Sequence, residues 1–404
     1  MKVLQINCVY GRGSTGLLTQ QLHHALLAED EEPVACYGFG PVSPEENVLK
    51  LNSDLYSRAN HLRANITGNM YGGCRLSTDK LIRIIRRSAP DVVHLQCVNG
   101  YFVNIYRLVS WLKREKIPTV LTLHAEFMYT AGCGHAMDCE KWMSGCGHCP
   151  SRGDQTKGLT DRTAFCWKKM ERAFSGFEDL DVVSVSPWLM ERAKRSPILG
   201  DKRHQCILNG VDCSVFTRRS DEALRERLLA GKEKLVLHVT PFFSDREDSF
   251  KGGQWLIRLA KLLNERSIRF VVVGNASLRE QLPDNVSWIG PVRDRELLAS
   301  MYAVSDCSVI VSKRETFSMV TAESICCGTP VVGFRAGAPE AIAPGEFSRF
   351  VPYGDVEALA DALLGLLSAA PDREAVSKTG RELFSNEKMC ESYLRLYRSR
   401  TCSN

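Results

Sequence analysis

Two glutamates carry the first chemical signal. Glu315 and Glu323 bracket Thr316-Phe317-Ser318-Met319-Val320-Thr321-Ala322, between a run that reads as a strand and one that reads as a helix ending at Gly328, ahead of Pro330. This places Glu315 in the loop at the carboxyl end of a strand, where open α/β sheets bind ligands, and Glu323 in the second turn of the helix. The N–H groups around Ser318 to Val320 open that helix and suit a phosphate. Carboxylates suit hydroxyl-rich ligands, since each accepts two or more O–H donors in fixed geometry. Two glutamates at this spacing also arise on ordinary solvated helices, so the pair takes its meaning from its surroundings.

A second candidate is the turn Tyr10-Gly11-Arg12-Gly13-Ser14-Thr15-Gly16, which follows a strand and opens a helix. Gly11, Gly13 and Gly16 satisfy G-x-G-x-x-G and raise an NAD-dependent oxidoreductase or epimerase as a rival function. That fingerprint wants a carboxylate about 20 residues on, at the end of the second strand, to hold the ribose. Here the strand ends Cys36-Tyr37-Gly38. What remains is a loop in which Gly13 lets backbone N–H groups approach an anionic or sugar ligand, or simply a tight strand-to-helix turn.

Cys133, Cys139, Cys146 and Cys149 lie within 17 positions, with His135 and His148 among them. Four thiolates could close a tetrahedral zinc site, and either histidine could replace one of them. The C-x5-C-x6-C-x2-C spacing departs from common paired knuckles, so disulfides, an iron–sulfur cluster or free thiols stay open. A site filled by protein ligands would be structural rather than catalytic. Other cysteines, such as Cys8, Cys97, Cys206 and Cys307, are scattered singly and read as reduced core residues.

The elements that must position these groups alternate between strand and helix. Val3 to Asn7, Pro33 to Tyr37, Asp91 to Gln96, Thr119 to Leu123 and Asp181 to Val185 read as strands separated by helical patterns. The pattern restarts with Lys234 to Val239, Phe270 to Gly274, Cys307 to Val311 and Pro330 to Phe334, with a helix over Gly253 to Asn264. Pro197 and Gly200 mark a crossing over 196–203. The expected organisation is α/β: a first Rossmann-like domain over 1–196 with the cysteine insert at 133–149, a second over 203–385, and a terminal helix over 386–404.

Composition narrows the classes. With 404 residues, 44% of them hydrophobic, the chain can bury two cores. A net charge of +5, from 52 basic and 47 acidic side chains, lacks the single-sign field of a nucleic-acid binder. Met1 to Cys8 does not read as a signal peptide, and no apolar run approaches the ~20 residues that span a bilayer, so a cytoplasmic protein is expected. Arg83, Arg86, Arg87, Arg107, Lys113, Arg114 and Lys116, near Tyr101, Phe102, Tyr106 and Trp111, suggest peripheral contact at the inner membrane face, or a solvated helix face over a buried aromatic stripe.

Taken with Gly328-Thr329-Pro330-Val331-Val332 and Asn209-Gly210-Val211-Asp212 followed by Phe216, the Glu315 and Glu323 pair resembles family 4 of the retaining glycosyltransferases. The resemblance spans nearly the whole chain. It implies the GT-B fold, two Rossmann-like doubly wound domains facing across a cleft, with acceptor bound by the first and a nucleoside-diphosphate sugar by the second. It further implies that Glu315 contacts donor-sugar hydroxyls, Glu323 the ribose, and the backbone of Phe317, Ser318 and Met319 the diphosphate. Lys251, in Phe250-Lys251-Gly252-Gly253, matches the lysine that neutralises that diphosphate, and no catalytic metal is needed. The family's partner arginine is replaced by His238-Val239-Thr240-Pro241, leaving Arg246 as a substitute or a free loop charge. His124 matches an active-site histidine near the reacting centre, although Ala125 and Glu126 follow where many relatives have an aspartate, shifting a carboxylate role toward Glu126.

The segment from Thr122 to Pro150 also resembles a polysaccharide-assembly subgroup with four cysteines, and because the cluster begins nine residues after His124 it is expected to brace a loop near the acceptor side of the cleft. The implied acceptor is a saccharide or lipid-linked saccharide in surface polysaccharide synthesis. The missing arginine and the altered residue after His124 leave a catalytically idle binding protein of the same fold as an alternative.

Overall fold

Parallel strands covered on both faces by helices must be apolar along most of their length, and the β-rich runs become such strands. The computed structural model describes residues 1–401 and forms two parallel sheets. The first contains β1 (Lys2–Asn7), β2 (Glu32–Tyr37), β3 (Val48–Lys50), β4 (Val92–Leu95), β5 (Thr119–Leu123), β6 (Leu180–Ser184) and β7 (Arg203–Cys206), ordered β3-β2-β1-β4-β5-β6-β7. The second contains β8 (Lys234–Ser244), β9 (Ile268–Ser277), β10 (Val286–Trp288), β11 (Cys307–Ile310), β12 (Val331–Phe334) and β13 (Ser348–Val351), ordered β10-β9-β8-β11-β12-β13. Each order runs outward from its first strand and then reverses, the doubly wound pattern that opens a ligand crevice at the reversal.

The second sheet's core shows why helices cover it. Val236, Phe270, Val309 and Val332 from the strands pack with Leu256 and Leu259 of helix Gly253–Leu262 and with Leu359 and Leu363 of helix Val356–Ala369.

The chain divides into two compact units, one made of Met1–Ile207 and the residues from Cys390 onward, the other of Leu208–Met389. Arg203–Cys206 pairs with β6, and Arg203 Nε donates to Asp181 Oδ1 at 2.8 Å, so the first unit runs beyond the expected 196–203 crossing. Helix Asn386–Thr401 returns the chain to the first unit. There Tyr393 bonds Thr122 Oγ1 at 2.8 Å, Tyr397 bonds His94 Nδ1 at 2.7 Å, and Arg400 meets Asp181 at 2.6 Å. The expected span 386–404 includes 402–404, outside the described residues.

One expectation changes. Cys206 is exposed on edge strand β7, and Cys8 and Cys97 are half-buried at strand ends; of the four supposed core thiols, only Cys307 is fully interior. The aromatic stripe of Phe102, Tyr106 and Trp111 is buried, as the solvated-face reading expects, and Leu76 is the one large apolar side chain exposed on helices Arg75–Ser88 and Ile105–Arg114. The described cysteines form no disulfide. No described helix is long and apolar enough to cross a membrane.

Candidate functional site

The second sheet reverses between β8 and β11, and the loops leaving these strands bring Lys251 and Glu315 together. Lys251 Nζ donates to Glu315 Oε1 at 2.7 Å, and both side chains remain partly exposed. Local geometry forces the meeting. Gly252 has φ +70°, and a Cβ there would lie 2.0 Å from the Val311 carbonyl oxygen, so only glycine lets the loop lie against the exit of β11. Lys313 N–H donates to the Phe250 carbonyl at 3.0 Å, pinning the same two loops from the other side. Glu315 is held in turn, its N–H donating to Ala336 at 2.9 Å and its carbonyl accepting from Ala338 at 3.2 Å.

Two helices start beside this pair. Helix Gly253–Leu262 is preceded by Gly252 with no side-chain cap, and helix Met319–Cys326 by Ser318, whose Oγ accepts from Thr321 N–H at 3.3 Å. Helix geometry leaves the first-turn N–H groups of Met319 and Val320 without intrahelical acceptors. Ser318 holds φ +79°, a strained value for a residue with a Cβ, at the position where the chain turns into that helix. The helix starts and the lysine together favour an anion. A partly exposed ion pair is worth about 0–1 kcal/mol, so an anion of higher charge can take Lys251 from Glu315 at little cost.

Glu323 lies in the second turn of helix Met319–Cys326, as its spacing suggests, and burial pushes its pKa up to about 7. Tyr302, unremarked in the sequence, donates its hydroxyl to Glu323 Oε2 at 3.2 Å. Phe216 packs edge-on against Tyr302 at 6.3 Å, and Arg295 stacks on Phe216 while pairing with Asp212 at 3.2 Å. The Asn209-Gly210-Val211-Asp212 segment thus positions Glu323 through Phe216 and Tyr302. It is itself pinned where Val211 N–H donates to Phe384 at 2.6 Å.

Not every candidate joins this group. Phe317 turns its ring inward against Phe384, leaving its main chain as the part near the helix start. Arg246 is forked onto Asp248 at 2.8 and 2.7 Å in an exposed loop and does not meet the Lys251–Glu315 pair. His238 is interior to β8, with Nδ1 2.9 Å from the Val309 carbonyl, and burial lowers its pKa to about 4.

In the first unit, Gly13 opens helix Gly13–Ala28 at φ +62° with open space where a Cβ would stand, and Gly11 N–H donates to Gly16 at 3.0 Å. After β2, a Cβ on Gly38 would lie 2.1 Å from the Phe102 ring, so this strand end is a packing contact where the dinucleotide fingerprint wants a carboxylate. His124 follows β5, and burial lowers its pKa to about 4, which keeps the imidazole neutral near pH 7. Glu126 is not available for chemistry. It is fully buried, and its carboxylate accepts from Arg192 Nε at 2.6 Å, Tyr129 Oη at 2.9 Å and Ala136 N–H at 2.6 Å. Its burial and its partner 66 residues away explain why sequence alone misassigned it.

Glu126 instead ties down the cysteine insert. Trp142 is buried at its centre, with Tyr129 edge-on at 5.2 Å and the Arg192 guanidinium 4.9 Å from its ring. Cys133, Cys139, Cys146 and Cys149 all line one cavity of about 20 Å³, room for a single small ion or water. Among the described residues, however, no three His, Cys, Asp or Glu side chains stand in metal-holding positions, so a zinc tetrahedron would need the sulfurs to draw inward.

Residues 234–369 match the model of the family described as glycosyl transferases group 1. The putative colanic acid biosynthesis glycosyl transferase WcaC of Escherichia coli K12 is 23% identical over 99% of this chain and 100% of its own. D-inositol 3-phosphate glycosyltransferase of Mycolicibacterium smegmatis is 30% identical over 43% of this chain and 41% of its own. Among solved structures, sucrose-phosphate synthase from Thermosynechococcus elongatus superposes with a TM-score of 0.72 at 18% identity, covering all of both chains. Anabaena HepE in complex with UDP-glucose gives 0.63 at 15% identity over 99% and 100% of the two chains. The chain has the GT-B fold, and within its second unit residues 234–369 are similar to the group 1 glycosyltransferases.

Proposed function

We propose that this protein transfers a sugar from a nucleoside-diphosphate sugar to a saccharide or lipid-linked saccharide acceptor, with retention at the anomeric carbon, in surface polysaccharide synthesis. The observation that carries the reading is the Lys251–Glu315 pair at 2.7 Å, set between two helix starts at the reversal of the second sheet. The full-length likeness to WcaC supports the polysaccharide context.

The donor diphosphate takes Lys251 and the N–H groups of Met319 and Val320, which frees Glu315 to accept hydroxyls of the donor sugar. Glu323 accepts from the ribose, steadied by Tyr302. The bond from the sugar C1 to the phosphate oxygen breaks while a bond from C1 to the acceptor oxygen forms on the same face. The acceptor proton passes to the departing phosphate, whose growing charge Lys251 and the helix starts stabilise. His124, neutral and on the acceptor-binding unit, serves as a sugar contact rather than the base. Gly13 keeps the glycine turn open to a ligand. None of these roles calls for a metal.

The test is a melting-temperature and turnover panel of UDP-, GDP- and ADP-sugars with NAD, on wild type and Glu323→Ala, followed by NMR of the product anomer. Stabilisation and turnover with one sugar nucleotide, lost in the variant, is the expected result. A response to NAD alone, or an inverted product, would contradict it.

The cysteine insert is read as a structural zinc site, supported by four unbridged thiols around one ion-sized cavity. Elemental analysis should find about one zinc per chain, and chelation should lower the melting temperature without abolishing donor binding. A metal-free purified protein with the same melting temperature in chelator would refute it.

A further inference from the structure

Surface helices normally bury their leucines and expose small or polar residues. Helix Asp54–Thr67 does the reverse. Its buried positions are Ser57 and Ala64, whereas Leu55, Leu62 and Ile66 are 76%, 61% and 49% exposed. At about 100° per residue, these three and exposed Ala59 fall within roughly 60° of arc, on the face opposite Ser57 and Ala64. Arg58 lies on one flank of this stripe and Arg63 on the other, both exposed. The helix's one acid, Asp54, is paired with Lys50 at 2.8 Å.

The helix is firmly held, so its outward leucines are not the product of fraying. Ser53 caps its start by accepting from Tyr56 N–H at 3.3 Å, and Gly68 closes its end at φ +67°, packed on Lys157, Thr160 and Arg162. The apolar surface continues past that end. Leu159, 81% exposed, donates its N–H to the Ile66 carbonyl at 3.0 Å, and Arg162 stacks on exposed Phe165 at 4.5 Å.

We infer that this face of the first unit lies on an anionic membrane surface. The stripe of Leu55, Leu62 and Ile66, extended by Leu159, enters the boundary between headgroups and acyl chains, and Arg58, Arg63 and Arg162 meet lipid phosphates. A protein groove would also accept a leucine stripe, but cations on both flanks of a helix whose one acid is paired match a uniformly negative partner, and Asp161, beside Leu159, is held by Cys149 N–H and Thr163. The surface is distinct from the basic helices Arg75–Ser88 and Ile105–Arg114, the second of which keeps Tyr106 and Trp111 interior. The inference does not depend on the proposed activity, since it reads a surface rather than a reaction.

Co-sedimentation of the full chain with vesicles of phosphatidylcholine, alone or mixed with phosphatidylglycerol, tests it. Wild type should partition onto the mixed vesicles. The Leu55→Ser/Leu62→Ser/Ile66→Ser variant should partition about tenfold less. Arg58→Gln/Arg63→Gln should lose most of the preference for phosphatidylglycerol. The changed positions are exposed, so melting temperatures should stay near wild type. Wild type binding the mixed vesicles no better than the neutral ones, or the triple variant binding as wild type does, would overturn the proposal. So would wild type that ignores vesicles but self-associates through the same leucines in the ultracentrifuge.

Discussion

The two sheets reverse their winding at equivalent places, between β1 and β4 in one unit and between β8 and β11 in the other, yet the loops there differ in chemistry. In the first unit the groups are cysteines and asparagines bonded to one another. Cys8 N–H donates to the Cys97 carbonyl at 2.8 Å, Cys97 N–H to Asn7 Oδ1 at 3.0 Å, and Cys97 Sγ to Asn99 Oδ1 at 3.1 Å. In the second, the same topological position holds a lysine and a glutamate whose weak mutual pairing leaves both ready for another partner. The fold provides two crevices; side chains place a cation and a carboxylate in one of them.

The largest effect should come from removing the cation that distinguishes the second crevice. Lys251→Met should lower transfer by about 10²–10³-fold, the scale of losing one group that stabilises developing charge, while the melting temperature barely moves because the ion pair is partly exposed. Steady-state kinetics and a thermal melt on the same variant check both halves.

Gly252→Ala should come next, at about tenfold or more in activity, because the new Cβ meets the Val311 carbonyl and displaces Lys251 by a fraction of an ångström or more. A variant with wild-type kinetics would show that the tight approach of these loops does not position the lysine.

Acid should weaken the first unit most, since it keeps three of the four neutral interior histidines. Burial lowers the pKa of His23, His124 and His238 to about 4 and that of His94 to about 3, from an ordinary value of 6.5. Below that ordinary value the unfolded chain takes up protons that the folded chain refuses, so stability falls as pH drops from 6.5 through about 4. Glu323, raised to about 7, acts with the opposite sign and offsets His238 in the second unit. Thermal melts should show a lower midpoint at pH 5 than at pH 7.5.

The smallest effect is expected at Arg246. Its guanidinium is held by Asp248 in solvent, so Arg246→Ala should change donor affinity less than about twofold, the range of an exposed ion pair. A larger loss, measured by calorimetry, would bring Arg246 back into the diphosphate site.

The sequence made the long apolar strands legible because a buried parallel strand must be apolar throughout, as in β5 and β6. It hid β3, β7, β10 and β13, which are short and carry mixed or exposed residues such as Arg203–Cys206. Lys251, Glu315 and Glu323 stood out singly through their neighbours. The 64-residue separation of Lys251 from Glu315, and the reach of Tyr302 to Glu323, exist only after folding. Charge misled at Glu126, which looks reactive in sequence and is locked by Arg192, whereas the basic stretch around Trp111 is the charged face over interior rings that one of its two readings expects.

The most direct test of the central claim is calorimetric affinity for the nucleoside diphosphate without its sugar, in wild type, Lys251→Met and Glu315→Gln. Because Glu315 competes with the diphosphate for Lys251, Glu315→Gln should bind severalfold more tightly than wild type and Lys251→Met at least about tenfold more weakly. Equal affinities in all three proteins, or equal weakening in both variants, would place the diphosphate somewhere other than the second crevice.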